Sequence, residues 1–239
     1  MRIRPLAHAL LVSLALAAGP ALSEDNIDKV LGGITAEAGK EYGSLDTVNG
    51  GITIREGAKV RRADTVNGGI TVDSDAWVGR ASTVNGGVKL ADRARAGDID
   101  AVNGGVSLGR DAQVEDDIEL VNGGMRIADG ASVGGDVGNV NGEISIGKAV
   151  VGGSVITTSG DIILEGSTVR GNLRVEKPSG WRFGRERLPR VVVGAGTVVE
   201  GELLFDREVE LYVHPQARVG KQTGPAPRML DHPDAPRSN

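Results

Sequence analysis

The stretch Val48-Asn49-Gly50-Gly51-Ile52-Thr53-Ile54 decides the fold, because it returns as Val66-Asn67-Gly68-Gly69-Ile70-Thr71-Val72. Val-Asn-Gly occurs six times, with its asparagine at Asn49, Asn67, Asn85, Asn103, Asn122 and Asn141, at intervals of 18, 18, 18, 19 and 19 residues. A fixed period of this length is the mark of a solenoid, in which each repeat is one coil and gains stability only by stacking on its neighbours. Isolated Asn-Gly pairs also make hairpin turns, but hairpins do not predict so constant an interval.

Aligned on the asparagines, the coils show columns. Three residues on stand Ile52, Ile70, Val88, Val106, Met125 and Ile144, and two further on Ile54, Val72, Leu90, Leu108, Ile127 and Ile146. Between them lie Thr53, Thr71, Lys89, Ser107, Arg126 and Ser145, so apolar and polar residues alternate as in a strand with one buried side. Then come Ala58, Ala76, Ala94, Ala112 and Ala131, next Val60, Val78, Ala96, Val114 and Val133, and last Ala63, Ala81, Ile99, Ile118 and Val137. The valine before each asparagine is also expected to face inward, so that Val102→Asp would unfold the array and Thr53→Asp would be mild. The pattern predicts an all-β, single-stranded parallel β-helix with coils of about 18 residues, three short strands to a coil and no helical periodicity.

The register extends beyond the asparagines, with Leu31 and Ser159 at the same position one coil before and one coil after. The expected organisation is a signal peptide at 1–23 and a β-helix at 24–220. Within the helix, regular coils occupy 30–176, a loop 177–190 and terminal coils 191–220. A disordered tail covers 221–239. Arg2 and Arg4, the apolar run Leu10 to Ala18 and the small residues around Ala21 to Ser23 make up the export signal, with cleavage before Glu24. No later run is apolar enough for a membrane span, and the chain has no cysteine. Export to the periplasm or cell surface is expected, with stability drawn from packing. Gly is abundant at 37 residues and aromatics make up 3%, which suits a narrow stack with tight corners.

The asparagines are read as a structural ladder at the corner or inside it, since stacked amides hydrogen-bond one another. With 27 basic and 32 acidic residues the chain is acidic, which argues against nucleic acid as a partner. The six-residue spacing of Val48, Ile54, Val60, Val66, Val72 and Val78 is also that of acyltransferase β-helices. Their histidine base has no counterpart here: His8 is in the signal, His214 near the end and His232 in the tail, and Glu24 to Val213 contains none. Asp116, Asp117 and Glu119 form the densest acidic group, read as a solvated corner bulge rather than a Ca²⁺ or catalytic site. The threonine rows Thr53 and Thr71, and Thr47, Thr65 and Thr83, are too short for an ice-binding face. Pro178 to Pro189 interrupts the coils and carries Trp181, Arg182, Phe183, Arg185 and Arg187, a candidate partner-binding loop. No catalytic, cofactor or metal residue is singled out.

The runs Gly-Gly-Ile-Thr-Ile, Gly-Gly-Val-Ser-Leu and Gly-Asp-Ile-Ile-Leu resemble the exported bacterial β-solenoids of adhesin type. Val193 to Leu203 is similar to the bactofilin-type polymer-forming proteins. The resemblance implies a right-handed helix and a non-catalytic envelope protein that adheres or self-assembles end to end. A carbohydrate-binding or carbohydrate-active β-helix is the alternative. The expected partners are a second copy, an envelope glycan or a surface protein.

Overall fold

The computed structural model describes residues 25–178 and 187–234. It is a β-solenoid with every strand pair parallel, wound into an 11-stranded sheet and a 16-stranded sheet. The 11-stranded sheet is the first wall. It contains Ile34–Ala36, Ile52–Ile54, Ile70–Val72, Val88–Leu90 and Val106–Leu108, and continues through Glu210–Val213 to Arg228–Met229. Residues pair at the period of the sequence, for example Ile52 with Ile70 and Asn49 with Asn67. Coils stack at about 4.8 Å, the ordinary strand spacing.

Each first-wall strand ends in a tight turn, such as Arg55 to Ala58, closed by the Ala58 N–H donating to the Arg55 carbonyl at 2.9 Å. Its third residue takes a left-handed backbone in coil after coil: Gly39, Gly57, Asp75, Arg93, Asp111, Gly130, Lys148, Gly166 and Gly196. Four of these are not glycine, and their φ angles of 42–62° cost stability that the stack outweighs. The residue that follows is a buried alanine at Ala58, Ala76, Ala94, Ala112, Ala131 and Ala149, and a buried hydroxyl residue at Ser167 and Thr197.

The sequence predicts three short strands per coil. In the N-terminal coils the second and third instead merge into one bent strand, Glu41–Asn49, Lys59–Asn67, Trp77–Asn85 and Arg95–Asn103, whose first part forms the second wall and whose last part, ending at the asparagine, forms the third. The split comes in the next coil, where Gln113–Val114 and Ile118–Asn122 both pair with Arg95–Asn103. Val114 pairs with Ala96 while Ile118 pairs with Ile99, so Glu115, Asp116 and Asp117 replace Gly97 and Asp98. The added residue is therefore a bulge at the corner of the second and third walls. Later coils keep the wider corner and stabilise it with a polar ladder. Asp117 accepts from the Asp136 N–H at 2.7 Å, Asp136 from Ser154 at 2.7 Å, Ser154 from Asn172 at 3.1 Å and Asn172 from Glu202 at 2.9 Å.

The core is one continuous cluster of Val, Ile, Leu and Ala running the length of the stack, with Phe205 among its largest fully buried side chains. The predicted inward columns lie there with one exception. Val102 is 37% exposed, and Val48, Val66, Val84, Val121 and Val140 are only half-buried. The residue before each valine turns in instead: Thr47, Thr65, Thr83, Ala101, Leu120 and Asn139 are buried. The strand alternates, and Ala63 and Thr65 on the core side leave Val66 on the other. The tail also differs from its predicted disorder, because Gln222–Thr223 and Arg228–Met229 each extend a sheet, while 235–239 lie outside the described residues. No helix among the described residues is long and apolar enough to cross a membrane.

This assignment predicts that Leu120→Ala, which empties a site 1% exposed, costs about 2–5 kcal/mol. Val102→Ala, one strand face away, costs under about 1 kcal/mol. Urea unfolding followed by circular dichroism separates them; equal losses would return the valine column to the core.

Candidate functional site

The corner between the third and first walls carries most of the distinctive sequence. Asn49, Asn67, Asn85, Asn103 and Asn122 are exposed and Asn141 is half-buried, so the ladder lies at the corner and not inside it. Each Nδ2 donates to the Oδ1 of the preceding coil: Asn67 to Asn49 at 2.9 Å, Asn85 to Asn67 at 2.9 Å and Asn103 to Asn85 at 3.1 Å. Asn122 to Asn103 at 3.1 Å and Asn141 to Asn122 at 2.9 Å complete the row. Every amide points the same way and keeps one N–H and one lone pair for solvent or a ligand.

The two glycines after the asparagine have different reasons. A Cβ on Gly50, Gly68, Gly86, Gly104, Gly123 or Gly142 would lie inside the carbonyl of the glycine one coil below, so only hydrogen fits. That carbonyl is held from within by threonine. Thr65 Oγ1 donates to Gly50 O at 2.9 Å, Thr83 to Gly68 at 2.9 Å, and Asn139 Nδ2 to Gly123 O at 3.0 Å. The row Thr47, Thr65 and Thr83 is thus internal. The second glycine is less constrained: a Cβ would lie 2.7 Å from a carbonyl at Gly87 and 3.1–3.2 Å from one at Gly51, Gly69 and Gly105, whereas on Gly124 it would meet only Glu143 O, at 3.8 Å. Glu143 and Asp161 occupy the equivalent places in the next two coils.

The absent side chains at Gly87, Gly105 and Gly124 leave an axial trough of about 450 Å³ on the first wall. Its other flank is the outward row of that wall, Thr71, Lys89, Ser107, Arg126 and Ser145, in register one coil apart. Glu143 stands at one end.

The predicted partner loop leaves the rod at the same corner. Val175 pairs with Thr157 and Val191 with Ile162, so the segment between them replaces a corner of the Asn-Gly kind. Its far end is fixed by buried charge. Asp161 accepts from the Arg190 N–H at 2.8 Å and pairs with Arg187. Arg190 donates to Glu210 Oε2 at 3.0 Å and to the Pro233 carbonyl at 3.3 Å. Arg187 is therefore an anchor of the loop, while Trp181, Arg182, Phe183 and Arg185 lie outside the described residues.

Two further surfaces were not singled out from the sequence. Lys59, Trp77, Arg95 and Gln113 stack in register along a depression of about 820 Å³ on the second wall, where Lys59 pairs with Glu41 at 2.9 Å and Arg93 with Asp75 at 2.7 Å. On the third wall Asp28, Asp46, Asp64, Ser82, Asp100 and Glu119 form one row. Burial, and then neighbouring carboxylates, push Asp28, Asp46 and Glu119 above their ordinary range. Burial does the same to Asp100 against the opposing pull of Arg80, 2.6 Å away. No group of three or more His, Cys, Asp or Glu among the described residues is arranged to hold a metal ion.

Two measurements test this corner. Gly86→Ala should cost at least about 3 kcal/mol and lower Tm by roughly 6–12 °C, whereas Gly124→Ala should leave Tm nearly unchanged. Glu119 has a raised folded pKa, so its stabilising protonated form is complete below its ordinary value of 4.5 and is lost as pH rises through the folded value. Glu119→Gln should therefore raise Tm at pH 7 and have no effect at pH 3.5; a loss of stability at pH 7 would reverse the sign. No known family model, characterised protein or solved structure matches the chain, so its function is read from this corner and these walls.

Proposed function

We propose that the chain is a non-catalytic, exported protein of the bacterial cell envelope, an adhesin-like rod that presents one long rigid edge to a partner. The continuity of the asparagine corner carries this reading. Five coil-to-coil amide bonds, the glycine trough beside them and the loop anchored by Arg187 and Arg190 all lie along a single line. Rigid side chains at a fixed repeat suit the holding of an extended partner, because little freedom is lost on contact. The basic leader with its apolar run supports export.

End-to-end assembly is the second reading. Val30 and Leu31 are 69% and 75% exposed on the terminal strand Asp25–Leu31, whose outer edge pairs with no other strand among the described residues. Such an edge is a template for another chain.

The full chain, expressed in a Gram-negative host and fractionated, should be recovered from the periplasm or envelope with Glu24 at its new N-terminus. Retention in the cytoplasm with an intact leader would end the envelope reading. Light scattering over a concentration series addresses assembly, and a constant monomer mass removes it.

A further inference from the structure

We infer that the first-wall trough binds a linear acidic polysaccharide that carries a carboxylate on alternate sugars. This rests on the reading of the corner as a partner-binding edge and names the partner's chemistry. The flank of the trough alternates: Thr71, Lys89, Ser107, Arg126, Ser145 run hydroxyl, cation, hydroxyl, cation, hydroxyl. The two cations stand two coils apart, about 9.5 Å, which is the length of one disaccharide in an extended glycan. Neither Lys89 nor Arg126 has an acidic partner within ion-pair distance among the described residues. By contrast, the cations around Trp77 include Lys59 and Arg93, each already paired to a carboxylate. With Lys89 and Arg126 against Glu143 at one end, the trough keeps a net positive charge on an acidic rod.

The floor decides against a peptide. Its glycine carbonyls are already taken: Ile70 N–H donates to Gly87 O at 2.9 Å, Val88 to Gly105 at 3.0 Å and Val106 to Gly124 at 3.0 Å. A strand laid in the trough would find no free edge to extend. A nucleic acid fits poorly as well, since no aromatic side chain lines the trough and its charge falls on every residue. A polyol chain asks for hydroxyl partners and, where it bears acid groups, for cations. The span from Thr71 to Ser145 is four coil steps, about 19 Å, and accommodates a tetrasaccharide.

The experiment is calorimetric titration of the exported chain at low salt. The probes are a tetrasaccharide alternating uronate and N-acetylhexosamine, a neutral N-acetylhexosamine tetramer, a tetragalacturonate and a short oligothymidylate. Binding of the alternating tetrasaccharide, at least fivefold tighter than the other three, is expected. Lys89→Gln and Arg126→Gln should each weaken it at least fivefold. Gly124→Gln should do the same by filling the trough without altering charge, since its Cβ has room. Arg170→Gln, at an exposed position away from the trough, should leave it unchanged. Tm reports that each variant is folded. Equal binding by native, Lys89→Gln and Gly124→Gln proteins, absence of binding by the native chain, or tightest binding of the tetragalacturonate or the oligothymidylate would each overturn the inference. None of these outcomes affects the envelope reading, which fractionation decides.

Discussion

At the asparagine corner the first glycine lies so near the glycine carbonyl one coil below that a Cβ would fall 1.8–2.3 Å from it, and the rest of the structure is arranged around this contact. Strands stack at about 4.8 Å, and at this corner the chain turns so that the backbone faces itself with nothing between. Gly50, Gly68, Gly86, Gly104 and Gly123 accept that geometry because they have no Cβ. The carbonyl so exposed is then held from inside by Thr65, Thr83 or Asn139 and shielded outside by the amide row. Thr, Asn and Gly in that order are one device: a bolt, a ladder rung and a point of contact.

Elsewhere the solenoid is more permissive. The opposite corner needs a left-handed residue, and Asp75, Arg93, Asp111 and Lys148 are accepted there in place of glycine at a cost the stack outweighs. Asp75 and Arg93 add an ion pair between neighbouring coils there. Where a coil gains a residue at Glu115 to Asp117, the wider corner is taken over by side chains that bond the backbone of the next coil. The rod therefore changes cross-section part way along while its first wall stays in register. The interruption at 178–189 is managed differently, by burying Arg190 against Glu210 and Asp161. Such a network stabilises only while every member is satisfied.

Much of the architecture was legible because the period is printed in the sequence. The columns Ile52–Met125, Ile54–Ile127, Ala58–Ala131 and Ala63–Val137 occupy the core as their spacing predicts. The valine before each asparagine misled, since hydrophobicity favoured burial. Parity held the answer. Ala63 and Val66 are three apart, so a single alternating strand cannot turn both inward, and Thr65 is the residue that shares a side with Ala63. The trough was hidden for another reason. Lys89 and Arg126 were visible only as the polar member of an alternation, and nothing in one coil says that the second glycine leaves space beside them. Likewise the sequence offered no sign that Asp161 would be buried beneath Arg187 and Arg190.

The repeated corner also bears on chemical ageing. Asn-Gly is the dipeptide most prone to succinimide formation, in which the glycine nitrogen attacks the asparagine side-chain carbon and ammonia leaves. In this rod the nitrogens of Gly50, Gly68, Gly86, Gly104 and Gly123 already donate to the asparagine carbonyl of the next coil, at 2.9–3.0 Å. The amides they would attack are fixed in a row by their neighbours. Winding into coils thus withdraws both reactants at these five Asn-Gly pairs, so loss of ammonia from them becomes a clock for unwinding.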